Sequence, residues 1–319
     1  MLHTRPLLAG LLAIAAVAAA LTGVRAEAPF SKAPPVGYYR MPMGDFEVTA
    51  LLDGVGRVPA RFLTDTTLSD VEAALARNFL EDPVSTSINA YLINTGAKLV
   101  LVDAGAGTLF GPRMGRLGDS IRAAGYRPEQ VDEVYITHMH ADHVGGLMTG
   151  DKRAFPNAIV RADKNELDYW LSRSNMEAAP KDDQESFKWA MDSINPYIAA
   201  GRFKAYDGDT DLVPGIRAVA SRGQTAGHTT FVVESKGGNI ALWGDLIHVA
   251  AVQFPEPSVT ILLDKDSKAA AIERKKAFAA AAARGYWVAG AHLGFPGIGH
   301  LRAEGIGYVF IPANYAPSP

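Results

Sequence analysis

Apolar and polar positions alternate over residues 46–51, which predicts a strand closed at Asp53-Gly54. Leu68, Val71, Leu75 and Phe79 recur at helical spacing behind candidate caps Thr66 and Thr67, so a helix is expected there. Runs at 87–93 and 98–102 flank the turn Asn94-Thr95-Gly96-Ala97 and read as a hairpin. A helix over 117–124, stopped by Gly125, leads into an apolar run over 131–137 with the character of a buried strand. Next come a strand at 158–161, a short helix carrying Leu167 and Trp170, a polar loop over 172–185, and a helix over 186–200. That last helix places Phe187, Met191 and Ile194 on one side.

The second half repeats this outline. Strands are expected at 216–220, 230–234, 240–243 and 286–291, with a long Ala-rich helix over 267–284 stopped by Gly285. Asp245 and His292 fall just past strand ends, as does the polar cluster after residue 137. One rim of the fold therefore collects the candidate chemistry.

Composition is that of a globular protein: 319 residues, 48% hydrophobic and 20% charged. The N-terminus differs, with Arg5 ahead of an apolar run over 7–24 and small residues at Val24-Arg25-Ala26. Residues 1–26 read as an export signal, with a cut after Ala28 as the alternative site and an uncleaved anchor as the rival reading. The expected destination is the periplasm, without stable membrane insertion after processing. Residues 27–44, with Pro29, Pro34, Pro35 and Pro42, read as an extended leader, and residues 45–319 as the functional domain. The chain has no cysteine, which removes disulfides, thiolate ligands and thiol nucleophiles. Its formal charge of -3 becomes -5 once Arg5 and Arg25 leave with the signal, and no basic run remains for a nucleic acid.

His138-x-His140-x-Asp142-His143 places four metal-competent side chains within six residues, directly after a strand, in a chain with eight histidines. Imidazole with carboxylate suits zinc and its first-row neighbours, and the spacing lets His138 and His140 face one ion while Asp142 and His143 turn to a second. Asp103 opens a small-residue loop and is either an outer partner that fixes a ligand histidine or an ordinary strand-terminating turn residue. Gly105-x-Gly107 lacks the remaining residues of a nucleotide loop, and no Gly-x-Ser-x-Gly elbow supports serine hydrolysis.

These motifs, with the turn at 223–228, Gly244-Asp245 and His292 in that order, resemble the metallo-β-lactamase superfamily. Longer blocks resemble its methyl parathion hydrolase group, among them Leu109-Phe110-Gly111-Pro112, Ala250-Ala251-Val252-Gln253-Phe254 and the stretch from His292 to His300. The resemblance implies an α/β fold, an αββα sandwich of two mixed β-sheets flanked by helices, with a two-metal site at one edge. It implies that His138 and His140 bind a first metal, Asp142, His143 and His292 a second, and that Asp245 bridges. Two divalent ions, expected to be zinc, and a bridging hydroxide acting beside Asp142 and Asp245 would hydrolyse esters, lactones or phosphotriesters.

One place departs from the pattern. Gln224 stands where the first metal's third histidine is usual, 21 residues before Asp245, while His228 stands 17 before it and is the rival candidate. An amide oxygen is a weaker donor to zinc than imidazole, so a weak or partly occupied first position is expected. A non-catalytic metal-binding or ligand-binding protein is the alternative function. The resemblance also makes Phe110, Trp170 and Phe187 expected aromatic walls of a pocket for aryl leaving groups. His248, with a hydrogen bond for a carbonyl or phenolate, favours aryl esters and lactones over organophosphate triesters. Monomer and homodimer both stay open.

Overall fold

A computed structural model describes residues 37–315, with Ala28 and Phe30 ahead of them. The segment read as an export signal lies outside the described residues. Among the described residues, no helix is long and apolar enough to cross a membrane.

Two seven-stranded sheets carry the fold, each with its strands in sequence order. The first holds β1 (Tyr38–Met43), β2 (Phe46–Val58), β3 (Val84–Asn94), β4 (Leu99–Val102), β5 (Glu133–Tyr135), β6 (Ile159–Asp163) and β7 (Phe203–Tyr206). The second holds β8 (Thr210–Val213), β9 (Ile216–Ala220), β10 (Thr229–Ser235), β11 (Gly238–Leu242), β12 (Trp287–Ala289), β13 (Ile298–Glu304) and β14 (Gly307–Pro312). Both sheets are mixed. In the first, β1 to β4 pair antiparallel and β4 to β7 parallel; in the second, only β11 and β12 run parallel. Helix α1 (Leu68–Arg77) lies in the connection between antiparallel β2 and β3. Parallel neighbours need a crossover, and helices supply it: α2 (Leu117–Ala123) joins β4 to β5, and α3 (Ala141–Val144) follows β5. Then come α4 (Lys164–Trp170), α5 (Arg173–Ala178) and α6 (Gln184–Ala199), with α7 (Ala250–Gln253) and α8 (Ser267–Arg284) between β11 and β12.

The apolar pattern explains the layers. Val100 and Val102 of β4 face inward with Tyr91, Ile93 and Val48, against Phe231, Val233, Ile240 and Leu242 of the second sheet. Leu99 and Leu101 face the other way, with Leu92 and Val134, against Ile121, Phe187, Ile194 and Tyr197 of the helices. On the far side Ala241, Trp243 and Val288 pack on Phe278 and Ala281 of α8. Strands buried on both faces read as continuous apolar runs, which is why β4 shows no alternation. The arrangement is the αββα sandwich.

The structure corrects several local expectations. Regular structure begins at Tyr38 rather than Phe46, because β1 pairs along β2 and takes up part of the expected leader. Asp53-Gly54 does not end its strand. A bulge lies between Leu52 and Gly54, and β2 continues to Val58. There the Asp53 carboxylate accepts from the backbone N–H groups of Ala106, Gly115 and Leu117, pinning the loop after β4. The polar stretch 172–185 contains α5, whose Ser172 cap accepts from the Asn175 N–H. Phe79 lies beyond the end of α1, 97% exposed and in the left-handed region, so it is no core residue.

Candidate metal centre

Every candidate ligand lies past the carboxyl end of a strand, where backbone pairing has stopped and side chains turn to the sheet edge. His138, His140, Asp142 and His143 follow β5, Asp245 follows β11, and His292 follows β12. They converge on one carboxylate. Asp245 Oδ1 lies 3.1 Å from His143 Nε2 and 3.0 Å from His292 Nε2, while Oδ2 lies 3.4 Å from His138 Nε2. His138 Nε2 and His140 Nδ1 are 2.9 Å apart, and Asp142 Oδ2 is 3.9 Å from His143 Nε2 and 3.5 Å from His292 Nε2. Two sets, His138-His140-Asp245 and Asp142-His143-His292, could each hold a metal ion.

The donor set fits two such ions. Donors sharing an ion at roughly 2.0–2.2 Å lie about 3.0–3.5 Å apart when adjacent, close to most of the observed spacings. Asp245 Oδ1, His143 Nε2 and Gln224 Oε1 are buried without a hydrogen-bond partner, a costly state that coordination would relieve. Burial pulls the His140 imidazole down to about 4 and holds His138 well below the usual range, so both rings offer lone pairs. Burial works against the Asp245 anion too, but His143, His292, His138 and His248 outweigh it and keep the carboxylate ionised. For His143 burial is likewise outweighed, by Asp245, Asp103 and Asp142, which raise it.

Outer partners fix the rings. Asp103 Oδ2 accepts from His143 Nδ1 at 2.8 Å and from the Thr137 hydroxyl at 2.9 Å, and Asp103 Oδ1 accepts from the Thr137 N–H. Thr137 Oγ1 in turn lies 3.1 Å from His138 Nδ1, and the Ser87 carbonyl 3.1 Å from His292 Nδ1. Asp103 thus holds the place expected of an outer partner.

Gln224 and His228 separate cleanly. The Gln224 amide nitrogen lies 3.4 Å from His140 Nδ1 and 3.5 Å from Asp245 Oδ2, so the side chain faces the first position. His228 is engaged elsewhere. Its Nδ1 reaches the Ser221 carbonyl and its Nε2 accepts the Asp245 N–H at 3.0 Å, leaving no lone pair for a metal. Gly244 permits this contact, since a Cβ there would meet His228 Nε2 and Thr137 Cβ, each at 2.9 Å.

The expected aromatic walls divide as well. Trp170 stands edge-on to His140, with ring centroids 5.4 Å apart. Phe187 is 1% exposed and reaches the site only through Trp170, so it is a core residue rather than a wall. Phe110 is exposed and pairs edge-on with Trp189 of α6, a residue the sequence pattern did not single out. His248 Nε2 lies 3.1 Å from Asp245 Oδ2 and its ring stacks on His292, placing it among the candidate ligands rather than on a pocket wall.

Three buried supports escaped the sequence. Glu166 accepts from the Met139 and Gly227 N–H groups at 2.8 and 2.7 Å, tying the His138–His140 stretch to the Gln224 turn. Gln253 accepts from the His248 and Val249 N–H groups, and Arg274 donates to the carbonyls of Leu246 and Val259. Each sits in an ordinary helical stretch, Glu166 and Arg274 among other polar residues, with nothing local to mark it as buried. Glu166→Ala strands two buried donors and is expected to lower stability by about 2–5 kcal/mol, measured by denaturant midpoint. An unchanged midpoint would remove Glu166 from this role.

Comparison with known proteins agrees with the geometry. The profile of the metallo-beta-lactamase superfamily matches residues 85–284. The fold is similar to the crystal structure of the hydrolase AbOPH in the beta lactamase superfamily, at 36% identity and a TM-score of 0.85, covering 89% of this chain and 99% of that one. It is also similar to AidC, a dizinc quorum-quenching lactonase, at 25% identity and a TM-score of 0.82, covering 89% of this chain and 100% of that one. An N-acyl homoserine lactonase from Bacillus sp is 28% identical over 128 residues, 40% of this chain, and the match spans 43% of that relative's length. The chain belongs to the metallo-β-lactamase superfamily.

Proposed function

We propose that this protein is a metal-dependent hydrolase of lactones and aryl esters, with organophosphate triesters as secondary substrates. The observation that carries this is Asp245, whose two oxygens each face a separate histidine set. His138, His140, Gln224 and Asp245 Oδ2 would hold one divalent ion, and Asp142, His143, His292 and Asp245 Oδ1 the other. Two such ions, most simply zinc, supply Lewis acidity that polarises the scissile carbonyl and lowers the pKa of water.

The chain's own residues do the rest. Asp103, Thr137 and the Ser87 carbonyl aim three histidine Nε2 atoms inward, so no reorientation is needed as charge develops. His140 and Asp142 are half-buried and mark the open side from which substrate enters. Trp170 closes one flank of His140 with an apolar edge, excluding water from the ring. Support for lactones comes from the similarity to AidC, described with a product, N-hexanoyl-L-homoserine, bound.

The test is turnover of N-hexanoyl homoserine lactone, dihydrocoumarin, phenyl acetate and methyl parathion by zinc-loaded protein, with bound metal quantified. Lactone turnover is expected to lead. A protein holding both ions with no turnover of any of the four would instead be the metal-binding protein that Gln224 suggests. The first position is also the weaker of the two. Gln224→His is expected to raise its retention against a chelator by about tenfold or more; equal retention of both ions by the unmodified chain would end that expectation.

A further inference from the structure

We propose that His248 is a metal ligand, supplying the first position with the imidazole that Gln224 does not. This rests on the two-metal function proposed above. The geometry starts at Asp245 Oδ2. Two ring nitrogens flank that one oxygen, His248 Nε2 at 3.1 Å and His138 Nε2 at 3.4 Å, and the Gln224 amide N–H donates to it at 3.5 Å. Both ring spacings suit neighbouring donors on one ion, which lie about 3.0–3.5 Å apart. Asp245, His248 and His292 also form a buried set with ligand atoms within 4.8 Å of one another, so the ring lies inside the centre, between the shared carboxylate and the His292 of the second position.

The ring's hydrogen bonding separates it from an ordinary buried histidine. His228, equally buried, has both nitrogens in protein hydrogen bonds. His248 is 2% exposed, its Nδ1 has no partner, and its Nε2 is directed at Asp245. The turn that carries it is held without the ring, through Gln253 Oε1 accepting from the His248 and Val249 N–H groups and Gln253 Nε2 donating to Val259. The stack on His292, at 5.1 Å and 18°, fixes the ring plane. Lacking an acceptor at Nδ1, His248 is a weaker donor than His143 or His292, which have outer hydrogen bonds. The first position is therefore filled, yet remains the weaker one.

The test uses the full chain loaded with zinc, and separately with cobalt(II), in the unmodified form and as His248→Leu, Gln224→His and the double variant. Metal equivalents are counted after dialysis against graded chelator, and the visible bands of the cobalt protein are recorded. The unmodified chain is expected to hold two equivalents, one leaving first. In His248→Leu that equivalent is expected to bind at least ~100-fold more weakly, beyond the 10–100-fold typical of losing an outer partner, and the cobalt bands of that position change. The double variant is expected to regain it to within about tenfold of the unmodified chain. Unchanged retention in His248→Leu, or failure of the double variant to restore the equivalent, overturns the assignment. If His248→Leu does not fold, His248→Asn takes its place in the same comparison. A chain that binds neither ion overturns the two-metal function itself.

Discussion

Asp245→Ala is expected to remove both metal equivalents and to lower lactone turnover by on the order of 10³-fold or more, several kcal/mol of lost charge stabilisation. Its two oxygens reach histidine nitrogens of both sets. Oδ1 lies about equally close to His143 and His292, and Oδ2 faces His138, His248 and Gln224. Removing the carboxylate takes the anion from beside His138 and His248, leaves Asp103 and Asp142 beside His143 and His292 alone, and deprives any two bound cations of the charge that offsets their repulsion. Asp245→Asn sharpens the test. The amide keeps the shape but has a single oxygen, so it can serve one position and presents N–H to the other. That variant is expected to retain no more than one equivalent. Metal analysis after dialysis, alongside turnover, decides it: two firmly held equivalents in either variant would falsify the bridging role.

The donors of this centre were legible because each is a polar residue at the end of an apolar run. His138 to His143, Asp245 and His292 interrupt patterns that otherwise read as strands, and those strands formed. Layer order was legible in part from the same runs, since the continuous apolarity of β4 requires burial on both faces. What escaped depended on partners far along the chain. Asp53 looked like a strand terminator because its role is to cap N–H groups more than fifty residues away. β1 looked like leader because its proline and methionines gain order only by pairing with β2. The hairpin of β13 and β14 gave no strong local pattern, as only four of its thirteen residues are buried. Glu166 shows the limit most clearly. Its sequence neighbourhood is an ordinary helix start, and only the folded chain brings Met139 and Gly227 to its two oxygens.

The family resemblance misled at Phe187 and helix spacing at Phe79, for opposite reasons. Phe187 has the hydrophobicity a pocket wall needs, but α6 packs flat on the first sheet and Trp170 stands between it and the site. Phe79 continues the apolar stripe of α1 in register, yet the helix has already ended at Arg77 and the chain turns away. Periodicity states which residues share a face only while the helix lasts.

Asp103→Asn is expected to weaken the second metal position by about 10–100-fold and the first by less, although Asp103 touches neither proposed ion. The substitution keeps the backbone: Asp103 is in the left-handed region at φ 60°, which asparagine tolerates and most other residues resist. It changes one contact decisively. The carboxylate accepts from His143 Nδ1, from the Thr137 hydroxyl and from the Thr137 N–H. Asparagine's oxygen can still accept from Thr137, but its amide then presents hydrogens to the protonated Nδ1 of His143. To escape that clash the imidazole must move its proton to Nε2, the atom aimed at the second position, or rotate away. His138 feels the change only through the Thr137 hydroxyl, which remains bonded, so the first position is spared. Alanine is the blunter comparison, since it strands three buried donors at once and its cost appears in stability as well as in metal affinity. Stepwise chelator titration distinguishes the two positions. Equal weakening of both in Asp103→Asn would mean that the residue supports the loop as a whole, and only preferential loss at the position served by His143, His292 and Asp142 fits control of the His143 tautomer.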